Sequence, residues 1–147
     1  MKIEYQSIKM DEDPLNKNYN FIIDGIHAGS IEGKLCLDNI YISVVNIFPE
    51  FQRKVIGYEV FKTVFNEIND VEEIKIFRAV WCSDEQYNHC KNGMSTNLHE
   101  FKKHRETKTE KESVFLTPTG KWVSKLSFTN IQSIRVTDSE VTVDLIK

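Results

Sequence analysis

The chain has 147 residues, 40% hydrophobic and 28% charged, with a formal net charge of −3. That size and composition suit one domain with a packed core. The negative balance excludes general nucleic-acid binding through a basic surface. No apolar run approaches the ~20 residues that cross a bilayer, and no signal-like segment opens the chain. A cytoplasmic protein without a membrane partner is therefore expected. Cys36, Cys82 and Cys90 are an odd number of cysteines, which reads as free thiols rather than a disulfide framework.

In chain order, Met1 to Ile8 reads as a strand, and Lys9 to Asn18 as a polar loop or single helical turn. Tyr19 to Asp24 is strand-like, with a turn at Gly25. His27 to Leu37 forms the next strand, and Asp38-Asn39 a tight hairpin connection to Ile40–Phe48. That run is apolar on both faces, as a central strand requires. From about Arg53 to Asn69, Ile56, Val60, Phe61, Val64, Phe65 and Ile68 recur at three- and four-residue intervals and predict a helix with one apolar stripe.

Val71 to Trp81 holds another strand. Cys82 to Glu112 is polar and reads as an insertion, with a short helix near Thr96 to His104 and then an exposed loop through the charge run Lys102–Glu112. Thr117-Pro118 caps a short helix to Leu126. Ile131 to Val136 and Glu140 to Ile146 form a terminal hairpin. The expected fold is α/β (α+β), a mixed, mostly antiparallel central sheet flanked by helices, in a single domain over 1–147 with an insertion at about 82–112.

The most informative stretch is Pro49–Phe61. A strand that turns sharply onto a helix N-terminus presents backbone N–H groups to an anion. Gln52, Arg53, Lys54, Val55, Ile56 and Gly57 occupy that turn. They resemble motif A of the GCN5-related N-acetyltransferases, Gln/Arg-x-x-Gly-x-Gly/Ala, which holds acetyl-coenzyme A. Gln52 fits the first position and Gly57 the last, while Val55 replaces the first glycine. Gly25-Ile-His-Ala-Gly-Ser-Ile31 resembles the entry to the family's third strand. Lys125-Leu-Ser-Phe128 resembles its ending Tyr-x-Lys-x-Gly-Phe, with Val123 in the tyrosine place and Ser127 in the glycine place. The family's usual helix pair between the first two strands is reduced here to a loop.

The resemblance implies an acyl-CoA N-acyltransferase that binds acetyl-CoA as acyl donor. The matching residues are Val44, Val45, Asn46 and Ile47 for the pantetheine arm and thioester carbonyl. Gln52, Arg53, Lys54, Val55, Ile56, Gly57 and Tyr58 match the pyrophosphate turn. Direct transfer to an amine requires a neutral amine, donors for the developing oxyanion and an outlet for the thiolate. No motif fixes the base. Asp84 and Glu85 are the first candidates, with Glu32 and Tyr41 beside them. The family's acid place holds Val123; Ser124 adjoins it, and Tyr87 lies in the insertion.

Cys82, His89, Cys90, His99 and His104 lack the paired spacing of a zinc site, so no metal is expected. The acceptor is an amine on a small molecule or a protein. The rival reading is a catalytically inactive binding protein on the same scaffold, holding a macromolecular partner. The terminal strand Glu140–Ile146 is a candidate edge for pairing into a homodimer.

Overall fold

The computed structural model describes residues 2–8, 13–52, 56–83 and 94–147. The chain divides into two compact units, Met1–Lys75 and Ile76–Lys147.

In the first unit, β1 (Ile3–Ser7), β2 (Asn16–Ile23), β3 (Ile26–Cys36) and β4 (Ile40–Ile47) pair antiparallel in chain order. Asp24 and Gly25, both at positive φ, turn β2 into β3 within two residues, as twisted hairpins favour. Asp38 and Asn39, also at positive φ, turn β3 into β4, the tight connection the sequence suggested. β2 begins at Asn16, earlier than the predicted Tyr19. The strand extends because Asn16 and Asn18 pair with Lys34 and Glu32 of β3; their polar side chains masked the alternation.

The helix α1 (Ile56–Val71) lays its stripe on this meander. Ile56, Val60, Phe61, Val64, Phe65 and Ile68 are all buried, against Phe21, Ile23, Ile31, Leu35 and Tyr41 of the strands. The strand predicted from Val71 starts later, because Val71 still belongs to the helix. The Glu72 N–H donates to the Ile68 carbonyl, and the Asn69 side chain accepts from the Ile74 N–H at 2.9 Å. Asn39 then ties the hairpin to this exit by donating to the Glu73 carbonyl at 2.6 Å.

In the second unit, β5 (Ile76–Cys82), β6 (Asn130–Val136) and β7 (Glu140–Ile146) form an antiparallel set with β7 in the middle. The expectation of β7 as an exposed edge is thus overturned: it pairs with β5 on one side and β6 on the other. Arg78 of β5 clamps its register partner Asp144 of β7 through two hydrogen bonds of 2.8 and 2.9 Å.

Three short helices follow β5, each opened by a side-chain cap. Ser95 caps α2 (Thr96–Arg105) by accepting from the Leu98 N–H. Thr117 caps α4 (Pro118–Lys125) through the Gly120 N–H at 3.0 Å, with Pro118 at the first position as predicted. Between them lies α3 (Glu110–Phe115), whose first half falls in the stretch predicted as loop. Its Thr109 and Glu112 bond each other's backbone N–H groups in a capping box, a T-x-x-E signal hidden within the charge run. Gly120 lets α4 meet α3, since a Cβ there would strike the Val114 carbonyl.

The end of α4 explains its sequence. Ser127 stands at φ +78. The Phe128 N–H donates to the Val123 carbonyl at 3.0 Å, and the Ser127 N–H to that of Ser124 at 3.1 Å. This is a Schellman closure, with Val123 and Phe128 as its wholly buried apolar pair. The left-handed position usually holds glycine, because a Cβ there is strained by roughly 1 kcal/mol or more. Ser127→Gly should therefore stabilise the protein by about 0.5–1 kcal/mol, after the extra freedom of the unfolded chain is counted. The expected rise in melting temperature is about 2 °C; a fall would contradict the strained-cap account.

Candidate functional site

The candidate site is a corner where β4 leaves the sheet and α1 begins. The Phe48 N–H donates to the Ala28 carbonyl at 2.8 Å, which sets the parity of β4 against β3. Val44 and Asn46 pair with Glu32 and Ser30 and direct their backbone groups toward β3. Val45 and Ile47 direct theirs to the opposite edge. The side chains alternate too: Val44 is 57% exposed, Asn46 is exposed, and Val45 and Ile47 are half-buried on the Tyr41 face. Gly29 permits the close approach of the two strands, for a Cβ there would strike the Asn46 carbonyl. The four residues carried over as one group thus separate into two pairs whose backbone groups face opposite edges.

A 3-10 turn, Pro49–Phe51, follows β4. The Phe51 N–H donates to the Phe48 carbonyl at 2.9 Å, and the Gln52 N–H to that of Pro49 at 3.3 Å. The exposed Gln52 side chain donates from Nε2 to the Ile47 carbonyl at 2.9 Å. Beyond the turn, α1 opens with Ile56 and Gly57, both buried. Tyr58 is half-buried, with Lys62 Nζ 5.3 Å from its ring centroid. The first turn of a helix offers N–H groups without intrahelical acceptors and the positive end of the helix dipole, a combination suited to phosphate. Arg53, Lys54 and Val55 of the expected turn lie outside the described residues, as do Asp84, Glu85, Tyr87, His89 and Cys90.

Of the remaining candidates, Tyr41 is wholly buried. Its ring meets Phe65 edge-on at 5.5 Å and Phe61 at 6.4 Å. It occupies space left by Gly33, where a Cβ would lie 2.5 Å from the phenol oxygen. Burial pushes the Tyr41 phenol far up from its ordinary 10.0, and the nearby Ser43 hydroxyl opposes this only in part. A sealed phenol that holds its proton so firmly is a core residue and not a base for an entering amine. Glu32 is exposed on the sheet face opposite Ile31 and Gly33.

Val123, which the motif resemblance sets in the family's acid place, is a buried core side chain of α4. The half-buried Ser124 lends its carbonyl to the Schellman closure. His99 and His104 flank Glu100 at 3.8 and 3.5 Å. Among the described residues no group of His, Cys, Asp and Glu is arranged to hold a metal, and no helix is long and apolar enough to cross a membrane.

No family model matches this chain, and no curated protein matches it in sequence. Solved structures do match. The ribosomal-protein-S18-alanine N-acetyltransferase from Escherichia coli aligns with a TM-score of 0.56 at 11% identity, over 98% of this chain and 92% of that one. An acetyltransferase from Bacillus subtilis in complex with CoA aligns at 0.54 and 12% identity, over 99% and 98%. An acetyltransferase of the GNAT family from Streptococcus pneumoniae aligns at 0.54 and 9% identity, over 92% and 70%. The chain has the fold of these acetyltransferases, which is the fold its motifs implied.

The tyrosines of the first unit yield a pH prediction. Tyr19 donates to Glu67 at 2.8 Å and stands edge-on to Tyr5. Burial, then the bond to Glu67, raises its phenol to about 12; burial raises Tyr5 and Tyr41 as well. The folded state therefore holds these protons more tightly than the unfolded chain. Their contribution to stability is complete below pH 10 and is lost as pH rises toward 12. The urea midpoint should fall across that window, and fall less in Tyr19→Phe. An equal fall in Tyr19→Phe would remove Tyr19 from the account.

Proposed function

We propose that this protein is an acyl-CoA-dependent N-acyltransferase that transfers acetyl from acetyl-CoA directly to an amine. The observation that carries this reading is the corner at Ile47–Gly57. A strand with backbone groups aimed away from β3 ends in a closed turn, and a helix whose first residues are buried begins at Ile56. The acetyltransferase fold and the motif order support it.

In this reading Val45 and Ile47 present backbone groups to the pantetheine arm, and the first turn of α1 at Ile56, Gly57 and Tyr58 faces the pyrophosphate. Arg53 and Lys54 would add charge there, with Val55 supplying an N–H. Asp84 or Glu85 remains the proposed base, and Tyr41 is withdrawn. Bound acetyl-CoA supplies an activated thioester carbonyl. The amine loses its proton to the base, the new C–N bond forms as C–S breaks, and the thiolate departs to take up a proton from water. The acceptor is an amine of a small molecule or of a protein.

The burial of Val123 gives the rival its own support. A scaffold with an apolar residue in the acid place also suits a protein that binds a macromolecule without catalysing transfer. Calorimetric titration with acetyl-CoA and with CoA separates the two. The proposal expects binding in roughly the micromolar range, abolished in Gly57→Glu and weakened in the milder Gly57→Ser, with folding of both confirmed by circular dichroism. No binding at millimolar ligand, or unchanged binding in folded Gly57→Glu, would sink it.

A further inference from the structure

The bond from Gln52 Nε2 to the Ile47 carbonyl is formed by an exposed side chain. An exposed, neutral hydrogen bond contributes little to folding, because water replaces it when it is lost. Its position is more telling than its energy. Ile47 is the last residue of β4, and its carbonyl faces the edge away from β3, the same edge from which Val45 presents its backbone groups. Gln52 is the residue at which the chain leaves the 3-10 turn, with extended backbone at ψ 157. One carboxamide therefore links the end of the strand to the exit of the turn.

The Phe48 N–H to Ala28, the Phe51 N–H to Phe48 and the Gln52 N–H to Pro49 complete the corner. Those three bonds are backbone bonds that any sequence able to make the turn would form. The Gln52 carboxamide, by contrast, makes a bond that depends on side-chain identity.

On the reading proposed above, we infer that Gln52 is a positioning residue: its carboxamide engages the Ile47 carbonyl and sets the backbone of β4 and the turn for coenzyme A. The side chain acts on the protein and not on the phosphates. In that reading the Val45 N–H and carbonyl and the Ile47 N–H, on the same edge as the Ile47 carbonyl, are the groups that would meet the amide-bearing arm of the ligand. The residue in motif A's first position thus serves through a donor, which both glutamine and arginine can provide.

The test compares wild type, Gln52→Met and Gln52→Arg by calorimetric titration with CoA. Methionine keeps the length and neutrality of glutamine but lacks the donor; arginine restores a donor. Gln52→Met should bind CoA roughly tenfold more weakly, the loss of about one hydrogen bond's worth of organisation. Its melting temperature without ligand should be unchanged. Gln52→Arg should recover to within about threefold of wild type, also at about 0.5 M salt, where the added charge is screened.

The Ile47 carbonyl-carbon resonance of the unliganded protein should move in Gln52→Met and return toward the wild-type position in Gln52→Arg. A purely structural role would lower the melting temperature instead. Wild-type affinity in Gln52→Met would overturn the inference while leaving the cofactor reading intact. So would failure of Gln52→Arg to recover at high salt, since the carboxamide would then be touching ligand directly. Absence of CoA binding by wild type would overturn the cofactor reading itself and the inference with it.

Discussion

The first unit depends on a single seating: α1 closing over Tyr41 in the space that Gly33 leaves open. Tyr41 is the largest side chain in the chain's wholly buried set and stands between β3, β4 and the Phe61/Phe65 pair of the helix. Burying aromatic and aliphatic side chains of this size stabilises by roughly 1.5–3 kcal/mol each. A side chain at position 33 would force Tyr41 and Val64 apart, and a close-packed core has no slack to absorb that. The helix is therefore held in one position along the strands. Its N-terminus, with Ile56 and Gly57 buried, inherits that position.

The second unit is organised by its helix ends. Three helices of ten residues or fewer are too short to persist alone in water. Each has a side-chain cap, and the last is closed by the Schellman bonds to Val123 and Ser124. Leu98, Phe101, Val114, Val123 and Phe128 are buried apolar side chains of this helical segment, with Trp81 of β5 6.2 Å from Phe101. Caps fix where such helices begin and stop, while burial decides that they form at all.

That division explains what could be read from the sequence. The stripe of α1 was legible because a long apolar period has few alternative explanations. Pro118 after Thr117 was legible because cap and proline agree. α3 was missed because its capping box lies in a run of alternating charges, where period and polarity argue for solvent. β2 was shortened because Asn16 and Asn18 carry no apolar signal, although their backbone is fully paired. β7 reads as an edge because it ends the hairpin, and chain order does not reveal that it lies beside β5. Motif spacing points to the proposed corner and groups Val44, Val45, Asn46 and Ile47 together. Only the register against β3 separates them. Tyr41 entered the candidate bases because its type suits proton transfer, and sequence does not show that the phenol is sealed.

The valine in the acid place bears on how much chemistry the fold must supply. A thiol ionises near 8.5 and a lysine-like amine near 10.4 in water. The departing sulfur is thus the weaker base of the two and leaves as thiolate at modest cost near neutral pH. The entering amine is the group that requires help, since it arrives mostly protonated. In the proposed reaction, a chain with Val123 in the place matched to the family's acid, where it locks α4 against Phe128, gives up the less demanding of the two proton transfers. Under the proposed reaction, rate would then follow the fraction of neutral amine and the strength of the base that produces it. Activity that rises with pH through the amine's titration is the behaviour such an arrangement requires.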